Sequence, residues 1–244
     1  MLARLYHAHH DPHQEDLPFW LELAHLQGDP ILELGCGSGR VMLPLARAGH
    51  FVLGLESDPD MLTVLQENLP PGLAERVGTI QADMAAFELG RLFALILLPC
   101  NAFSTLTAKA RGATLDCVQR HLTPQGLFAV SLPNPTMLRK LPGRSQPEVE
   151  EHFPHPLDGE PVQVSSSWNR TAGHFVVRWD YDHLLPDGNV ERFSMQVRHE
   201  LGSTEAYIAE IEAAGLHRVE IYGDYDRSPY SPESRYLIVT ARRM

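Results

Sequence analysis

The stretch ILELGCGSGR, from Ile31 to Arg40, joins an apolar strand pattern to an amphipathic helix pattern through glycines at alternate positions. A tight strand-to-helix turn needs one glycine, whereas this one has Gly35, Gly37 and Gly39. Such a loop places bare backbone N–H groups and the positive end of a helix dipole beneath a ligand. The alternation therefore predicts a ligand-binding loop rather than a plain turn.

Strand and helix patterns alternate over the first half of the chain. Apolar strand patterns occur in DPILEL, FVLGLE, RVGTIQAD, LFALILLP and LFAVSL, with helical patterns between them. This order is typical of a doubly wound α/β fold with right-handed crossovers. From about Pro133 the period changes to two, with the hairpin turn PDGN, which indicates an antiparallel insertion of three or four strands.

We therefore predict one domain over residues 1–244: a Rossmann-like, mostly parallel, seven-stranded sheet with its last strand antiparallel, plus a small antiparallel β insertion. Its predicted parts are an N-terminal lid and helix (1–28), a cofactor-binding core (29–132), the insertion over the active site (133–202), and a C-terminal helix with the last two strands (203–244).

Composition restricts the function classes. Twenty Lys and Arg residues against 31 Asp and Glu give a formal net charge of −11, which disfavours nucleic acid and anionic membranes as partners. No apolar run approaches the roughly eighteen residues of a membrane span. The three cysteines have no CxxC spacing, so no zinc site or disulfide framework is expected. The N-terminus becomes polar too early for a signal peptide, and we predict a cytoplasmic protein.

The glycine spacing separates two cofactor classes. Dinucleotide-binding loops have Gly-x-Gly-x-x-Gly, whereas here the third glycine comes one residue earlier and Glu33 precedes the first by two positions. LELGCGSGR resembles the first motif of the class I S-adenosylmethionine-dependent methyltransferases. Glu56, about twenty residues after Gly35, and Asp83, at the end of the third strand pattern, follow in the order of that family. The resemblance is clearest over residues 30–132.

The resemblance implies S-adenosylmethionine as the cofactor and assigns roles to particular residues. Glu33 would order the loop and place the amino end of the methionine moiety, Glu56 would accept both ribose hydroxyls, and Asp83 would accept from the adenine amino group. Asp83 as a mere turn cap is the alternative. The remaining predicted cofactor contacts are Gly35, Gly37, Gly39, Ser57, Met61, Met84 and Asn101, with Met61 and Met84 against the adenine faces.

The residues that would bind the methyl acceptor are less clear. The fourth strand ends in PCNAF, which departs from the Asn/Asp-Pro-Pro-Tyr/Phe motif of methyltransferases acting on flipped bases or amides. Asn101 is placed to contact the cofactor or the acceptor. Tyr6 would fold over the cofactor, and the loop with Asp224 and Tyr225 would lie at the active-site end. The sequence leaves the acceptor atom, the general base and the oligomeric state open.

The segment HAHHDPH invites a metal interpretation, because it contains His7, His9, His10 and His13. Its spacing is not that of a helical histidine pair with a carboxylate, so a mobile lid with incidental histidines is favoured and no metal site is predicted. The predicted function is methyl transfer to a small molecule. An inactive cofactor-binding module and, less favoured, a nicotinamide-dependent oxidoreductase are the alternatives.

Overall fold

Eleven strands form two sheets in the computed structural model, which describes residues 1–243. The strands are β1 (Ile31–Leu34), β2 (Val52–Glu56), β3 (Val77–Gln81), β4 (Phe93–Leu98), β5 (Leu122–Pro133), β6 (Glu148–Pro154), β7 (Pro161–Arg170), β8 (His174–Leu184), β9 (Val190–Glu200), β10 (Leu216–Tyr222) and β11 (Tyr236–Arg243). β1 to β5 with β10 and β11 make the larger sheet, and β6 to β9 make the smaller one.

The larger sheet has the order β10-β11-β5-β4-β1-β2-β3. β1 pairs in parallel with both β2 and β4, and β11 runs antiparallel between β5 and β10. The chain crosses over after β3 to reach the other side of β1, which creates a crevice at the carboxyl ends of β1 and β4. The predicted Rossmann-like sheet with an antiparallel last strand is confirmed.

Seven α-helices surround the sheets. They are α1 (Leu2–His10), α2 (Leu17–Gln27), α3 (Met42–Arg47), α4 (Pro59–Asn68), α5 (Ala108–His121), α6 (Pro135–Lys140) and α7 (Thr204–Ala213). Side chains from α5 and α7 pack on one face of the larger sheet, and side chains from α2 and α3 pack on the other. Successive residues of the central strands therefore alternate between two apolar clusters.

The smaller sheet has the order β6-β7-β8-β9 and is antiparallel throughout, as the period of two predicts. It occupies residues 148–200 of the predicted insertion, and the short helix α6 precedes it. Val162, Val164 and Tyr181 form a third apolar cluster with Leu5 of α1, and all four are fully buried. The N-terminal helix is thus packed on the inserted sheet.

The N-terminal segment differs from the lid with incidental histidines that its sequence suggests. It forms the regular helix α1, which also contacts α4. His9 is 3% exposed and its Nδ1 lies 3.1 Å from the hydroxyl of Tyr181. The apolar spacing of Leu2 and Leu5 is too short a pattern to reveal a helix whose packing partner lies about 150 residues away in the chain.

Among residues 1–243, no helix combines the length and the apolar character that crossing a bilayer requires.

An ion pair joins α5 to α7 and yields a stability prediction. Arg111 is 4% exposed, and its guanidinium donates to both carboxylate oxygens of Glu210 (2.5 and 2.7 Å) while lying 4.9 Å above the ring of Tyr207. Arg111→Ala leaves Glu210 without its partner and opens space beside Tyr207. We expect a loss of about 2–4 kcal/mol in the free energy of unfolding, measured by urea denaturation.

The matched control is Lys109→Ala, two residues earlier on α5 and exposed. We expect this variant to lie within about 0.5 kcal/mol of the wild type. Equal stabilities of the two variants would contradict a structural role for the Arg111 pair.

Candidate active site

The three glycines of the loop after β1 serve different purposes. All have positive φ: 67° at Gly35, 52° at Gly37 and 93° at Gly39. A Cβ at Gly39 would lie 3.0 Å from Leu43, and one at Gly35 would lie 3.2 Å from the methyl carbon of Met84. A Cβ at Gly37 would meet no atom within 4 Å. Gly35 and Gly39 allow the loop to pack, whereas Gly37 borders open space.

Glu33 lies beneath this loop and is 2% exposed. Its Oε2 is buried and has no hydrogen-bond partner. Burial raises the pKa of this carboxyl well above its usual range; the nearby charge of Arg40 opposes the rise, and Asp16 and Glu56 add to it. An unpaired buried carboxyl is costly unless a cation or donor reaches it. Glu33 is therefore suited to receive an ammonium group.

Glu56, at the end of β2, holds the glycine loop in place. Its Oε2 accepts from the backbone N–H of Gly37 (2.9 Å), and its Oε1 accepts from those of Ser57 and Asp58 (2.7 and 2.9 Å). The Ser57 hydroxyl also donates to Oε1 (3.4 Å), so these bonds use about all four acceptor sites of the carboxylate. The predicted fork to two ribose hydroxyls thus requires some of these bonds to be released.

The predicted adenine-binding residues border the same crevice. Asp83 is exposed, and its Oδ1 accepts from the backbone N–H of Ala85 (2.8 Å), which is the turn-capping alternative. Its other carboxylate oxygen is left for a ligand. Met84 packs next to Gly35, and Met61 is half-buried on α4. The adenine contacts remain predictions.

The backbone after β4 is strained. Cys100 and Asn101 are consecutive non-glycine residues in the left-handed region, with φ of 58° and 63°. Such conformations cost free energy and cluster at functional sites. The side-chain Oδ1 of Asn101 is buried and has no hydrogen-bond partner. It is a second unsatisfied acceptor in the crevice, after Glu33.

A buried histidine of the inserted sheet supports Asn101. The hydroxyl of Ser104 donates to the carbonyl oxygen of Asn101 (2.8 Å) and lies 2.8 Å from Nδ1 of His199. Since the hydroxyl proton is used, Nδ1 of His199 must be the donor to Ser104. Burial lowers the pKa of His199 to about 4, so its imidazole is neutral near pH 7. Sequence analysis missed this link, because 95 residues separate the two side chains.

Tyr6 of α1 faces the crevice. Its ring stacks on His10 at 4.0 Å between centroids and meets Trp179 of β8 edge-on at 6.5 Å. Burial raises the pKa of Tyr6 to about 12; nearby Cys100 and Glu56 also raise it, and Arg40 lowers it. The hydroxyl thus lies within electrostatic reach of Cys100, Arg40 and Glu56, and the prediction that Tyr6 covers the cofactor stays a prediction.

An ion pair fastens the N-terminal segment to the loop. Arg40 donates to both carboxylate oxygens of Asp16 (2.6 and 2.7 Å) and to the carbonyl oxygen of His13 (2.7 Å). Asp16 also accepts from the indole N–H of Trp20 (2.8 Å). A further contact joins His7 Nδ1 to the hydroxyl of Ser38 (2.9 Å). The start of the chain is therefore bonded to the helix-side end of the glycine loop, at Ser38 and Arg40.

The loop after β10 contacts both the crevice and α2. Tyr225 donates from its hydroxyl to Ser131 near the end of β5 (3.1 Å), and burial raises its pKa above the ordinary range. Asp224 accepts from the backbone N–H of Tyr225 (2.8 Å). Arg227 instead lies 3.1 Å from Glu22 on α2. In this loop, Tyr225 therefore lies close to the crevice, whereas Arg227 points to α2.

Known proteins resemble this chain both in sequence, over the strands that border the crevice, and in fold. Residues 31–126 match the model of a family described as a methyltransferase domain. The cypemycin N-terminal methyltransferase of a Streptomyces species is 24% identical over 223 residues, which are 89% of this chain and 84% of that protein. An uncharacterized RNA methyltransferase of Parasynechococcus marenigrum is 34% identical over 132 residues, but the chain spans only 27% of its length.

Solved structures share the whole fold. The CcbJ methyltransferase of Streptomyces caelestis superimposes with a TM-score of 0.78 at 23% identity, covering 97% of this chain and 96% of that one. The S-adenosylmethionine-bound amino pentose methyltransferase CalS10 of Micromonospora echinaspora superimposes with a TM-score of 0.73 at 22% identity, covering 98% and 96%. These likenesses include the inserted sheet as well as the larger one.

The family model covers β1 to β4 and the start of β5, and therefore the glycine loop, Glu33, Glu56 and Asn101. The glycine spacing, the acidic residues at the strand ends and the sheet order agree with it. Residues 31–126 thus match a methyltransferase domain, and the whole chain has the fold of solved S-adenosylmethionine-dependent methyltransferases.

Proposed function

We propose that this protein transfers a methyl group from S-adenosylmethionine to the amino nitrogen of a small molecule. Two buried oxygens without hydrogen-bond partners, Glu33 Oε2 and Asn101 Oδ1, support S-adenosylmethionine as the cofactor. Both border the loop at which Gly37 leaves open space. A ligand with an ammonium group would satisfy both oxygens.

The residues present fit S-adenosylmethionine. Its amino end would lie at Glu33 and Asn101, its ribose at Glu56, and its adenine between Met61 and Met84 near Asp83. Gly37 would allow the cofactor to lie against the backbone. Bound there, the cofactor supplies an electrophilic methyl group that needs no further activation.

The contribution of the chain is then to orient the acceptor and exclude water. Tyr6 and α1 cover the glycine loop, and the Arg40–Asp16 pair holds that cover in place. The acceptor would enter between Tyr6 and the inserted sheet, so that its lone pair approaches the methyl group from the side opposite the sulfur. In-line approach of this kind depends on rigid walls, which the packed aromatic side chains provide.

The entrance has the chemistry of a site for an amine. Trp179 lies edge-on to both Tyr6 and His10, and its indole N–H donates to Glu150 (3.2 Å). A hydrogen bond from His9 lowers the pKa of Glu150 to about 2, so this carboxylate is ionised near pH 7. Aromatic faces and a fixed carboxylate attract organic cations. Protonated amines are such cations before they lose the proton and react.

The relatives also favour an amine. The names of the cypemycin N-terminal methyltransferase and of the amino pentose methyltransferase each specify a molecule that carries an amino group. Both matches extend over about nine-tenths of this chain or more, and so include the inserted sheet. The match to the RNA methyltransferase covers 53% of this chain. The formal net charge of −11 adds a repulsive average field for RNA.

An acceptor screen tests the proposed reaction. We expect S-adenosylhomocysteine to form with some amino sugars or peptides that have a free N-terminal amine, and not with their N-acetylated counterparts, because acetylation removes the nucleophilic lone pair. The measurement is product detection by mass spectrometry. Methylation of ribosomal or transfer RNA fragments, with no amine methylated, would contradict the proposal.

The role of the entrance is tested with two tryptophans of the inserted sheet. Trp179→Ala should raise the KM for the amine by about tenfold or more, because one hydrophobic contact of this size is worth roughly 1–3 kcal/mol. The Kd for S-adenosylmethionine should stay unchanged. The matched control is Trp168→Ala, a half-buried tryptophan that packs against Phe175 instead of Tyr6. Equal effects of both substitutions on KM would contradict the proposed entrance.

The unpaired Glu33 predicts how cofactor binding depends on pH. The raised pKa keeps the free carboxyl protonated at pH values at which an exposed glutamate is ionised. An ammonium prefers the ionised form, so binding releases a proton and the affinity rises with pH through the pKa of Glu33. We expect tighter binding in calorimetric titrations as the pH rises from above the usual glutamate pKa of about 4.3 toward the usual α-amino pKa of about 7.7.

Glu33→Gln should weaken binding and flatten this dependence, whereas Asp60→Asn, an exposed carboxylate on α4, should change neither. A slope that persists in Glu33→Gln would show that another group releases the proton.

A further inference from the structure

Two buried histidines and an aspartate form a cluster in the inserted sheet, apart from the residues of the crevice described above. His155 follows β6 directly, His183 lies near the end of β8, and Asp158 lies in the turn between β6 and β7. The histidines are 5% and 3% exposed, and their rings stack at 3.9 Å between centroids. Asp158 is partly exposed and reaches both rings from the solvent side.

Several ring nitrogens of this cluster have no hydrogen-bond partner. Nε2 of His155 and both ring nitrogens of His183 are buried without a hydrogen-bond partner. Buried polar atoms in native proteins are normally paired. Of the three, Nε2 of His183 faces Asp158, and a ligand shared with that carboxylate would satisfy it.

The spacing of the donor atoms suits a metal ion. Asp158 Oδ1 lies 2.9 Å from Nδ1 of His155, and Asp158 Oδ2 lies 3.3 Å from Nε2 of His183. Ligand atoms around a tetrahedral ion with bonds of roughly 2.0–2.1 Å are about 3.3 Å apart. One ligand atom from each of the three side chains falls within 4.8 Å of the others.

We propose that His155, Asp158 and His183 form a binding site for a divalent transition-metal ion of the zinc class. Two imidazoles and one carboxylate are ligands that zinc accepts, with water completing the coordination. Nδ1 of His155 and Nε2 of His183 coordinate the ion, each giving up any proton that it carries. The ion replaces the direct contacts of Asp158 with the rings.

Further residues already orient the ligands. The backbone N–H of Glu160 donates to Asp158 Oδ1 (3.0 Å), which fixes the carboxylate in the turn. Glu191 of β9 lies with a carboxylate oxygen 3.9 Å from Nδ1 of His183. A carboxylate behind the non-coordinating nitrogen of a histidine is a common second layer of metal sites. At 3.9 Å this is a charge contact and not a hydrogen bond.

The position of the site gives it a structural role. β7 lies between β6 and β8 in the sheet, so a shared ion fastens the turn after β6 onto a strand that is not its neighbour. Trp179, Tyr181 and His183 are alternate residues of β8 and share one face of the sheet. The ion would thus stabilise the far end of the face on which α1 packs.

The second histidine cluster is a natural internal control. His9, His13 and Glu151 also come within metal-binding distance of one another. However, His9 already uses Nδ1 with the Tyr181 hydroxyl, and its Nε2 lies 3.1 Å from Glu150. His9 is not among the buried atoms that lack a partner. The proposal therefore assigns the ion to His155, Asp158 and His183.

The test is metal binding by the full-length, untagged protein after dialysis against a chelator. Zn²⁺ titrated into the wild type in a calorimeter should bind at about one ion per chain, and Co²⁺ should give the absorption of a four-coordinate site. His183→Ala and Asp158→Asn should each weaken Zn²⁺ binding at least about tenfold, because each removes a ligand. His13→Ala should leave the affinity unchanged.

Asp158→Asn keeps the test decisive if His183→Ala fails to fold, because Asp158 is partly exposed and outside the apolar clusters. The proposal is overturned if the wild type binds no Zn²⁺, or if His13→Ala loses the ion while Asp158→Asn retains it.

Discussion

Burying a carboxyl group without a partner costs a folded protein about 1–3 kcal/mol, and this chain carries that cost at Glu33. The side chain is buried because β1 is an interior strand between β2 and β4, and Glu33 is 2% exposed there. Arg40, whose charge lowers the pKa of Glu33, already donates its hydrogen bonds to Asp16. The fold thus keeps the acceptor at Glu33 unsatisfied until a ligand arrives, which favours binding over stability of the free protein.

The other parts of the crevice can be understood as fixing the space in front of that carboxyl. The carboxylate of Glu56 accepts from the backbone N–H of Gly37 and so fixes the loop at the end of β2. Gly37 borders open space in this position. The left-handed pair at Cys100 and Asn101 presents a second unsatisfied oxygen from the neighbouring strand β4. His199, through Ser104, links that strained turn to the inserted sheet. The inserted sheet and the turn after β4 are therefore joined by hydrogen bonds.

Local sequence was enough to predict the features that depend on neighbouring residues. The alternate glycines after β1 and Glu56 at the end of the next strand predict a ligand-binding loop at one edge of the sheet, because the strand ends of a parallel sheet meet there. The ligand class came from the resemblance of these motifs to those of the methyltransferases. The antiparallel insertion followed from its period of two. The carboxylate of Asp83 shows the limit of this reasoning, since a turn cap and an adenine contact require the same residue at the same place.

Features that depend on distant contacts were not predictable. Arg40 pairs with Asp16, which is 24 residues earlier in the chain, and no local pattern indicates that partner. The helix α1 exists because Leu5 packs against the inserted sheet. Likewise, His155 and His183 are 28 positions apart and meet only when β6 and β8 are aligned by β7. A periodic pattern carries no information about such pairings.

The most direct test of this account is a crystal structure of the protein with S-adenosylhomocysteine. The account predicts that the amino nitrogen of the ligand lies within about 3.2 Å of both Glu33 Oε2 and Asn101 Oδ1. It also predicts that the sulfur faces the entrance formed by Tyr6 and Trp179. A ligand whose amino group lies elsewhere, with both oxygens still unpaired, would contradict the account.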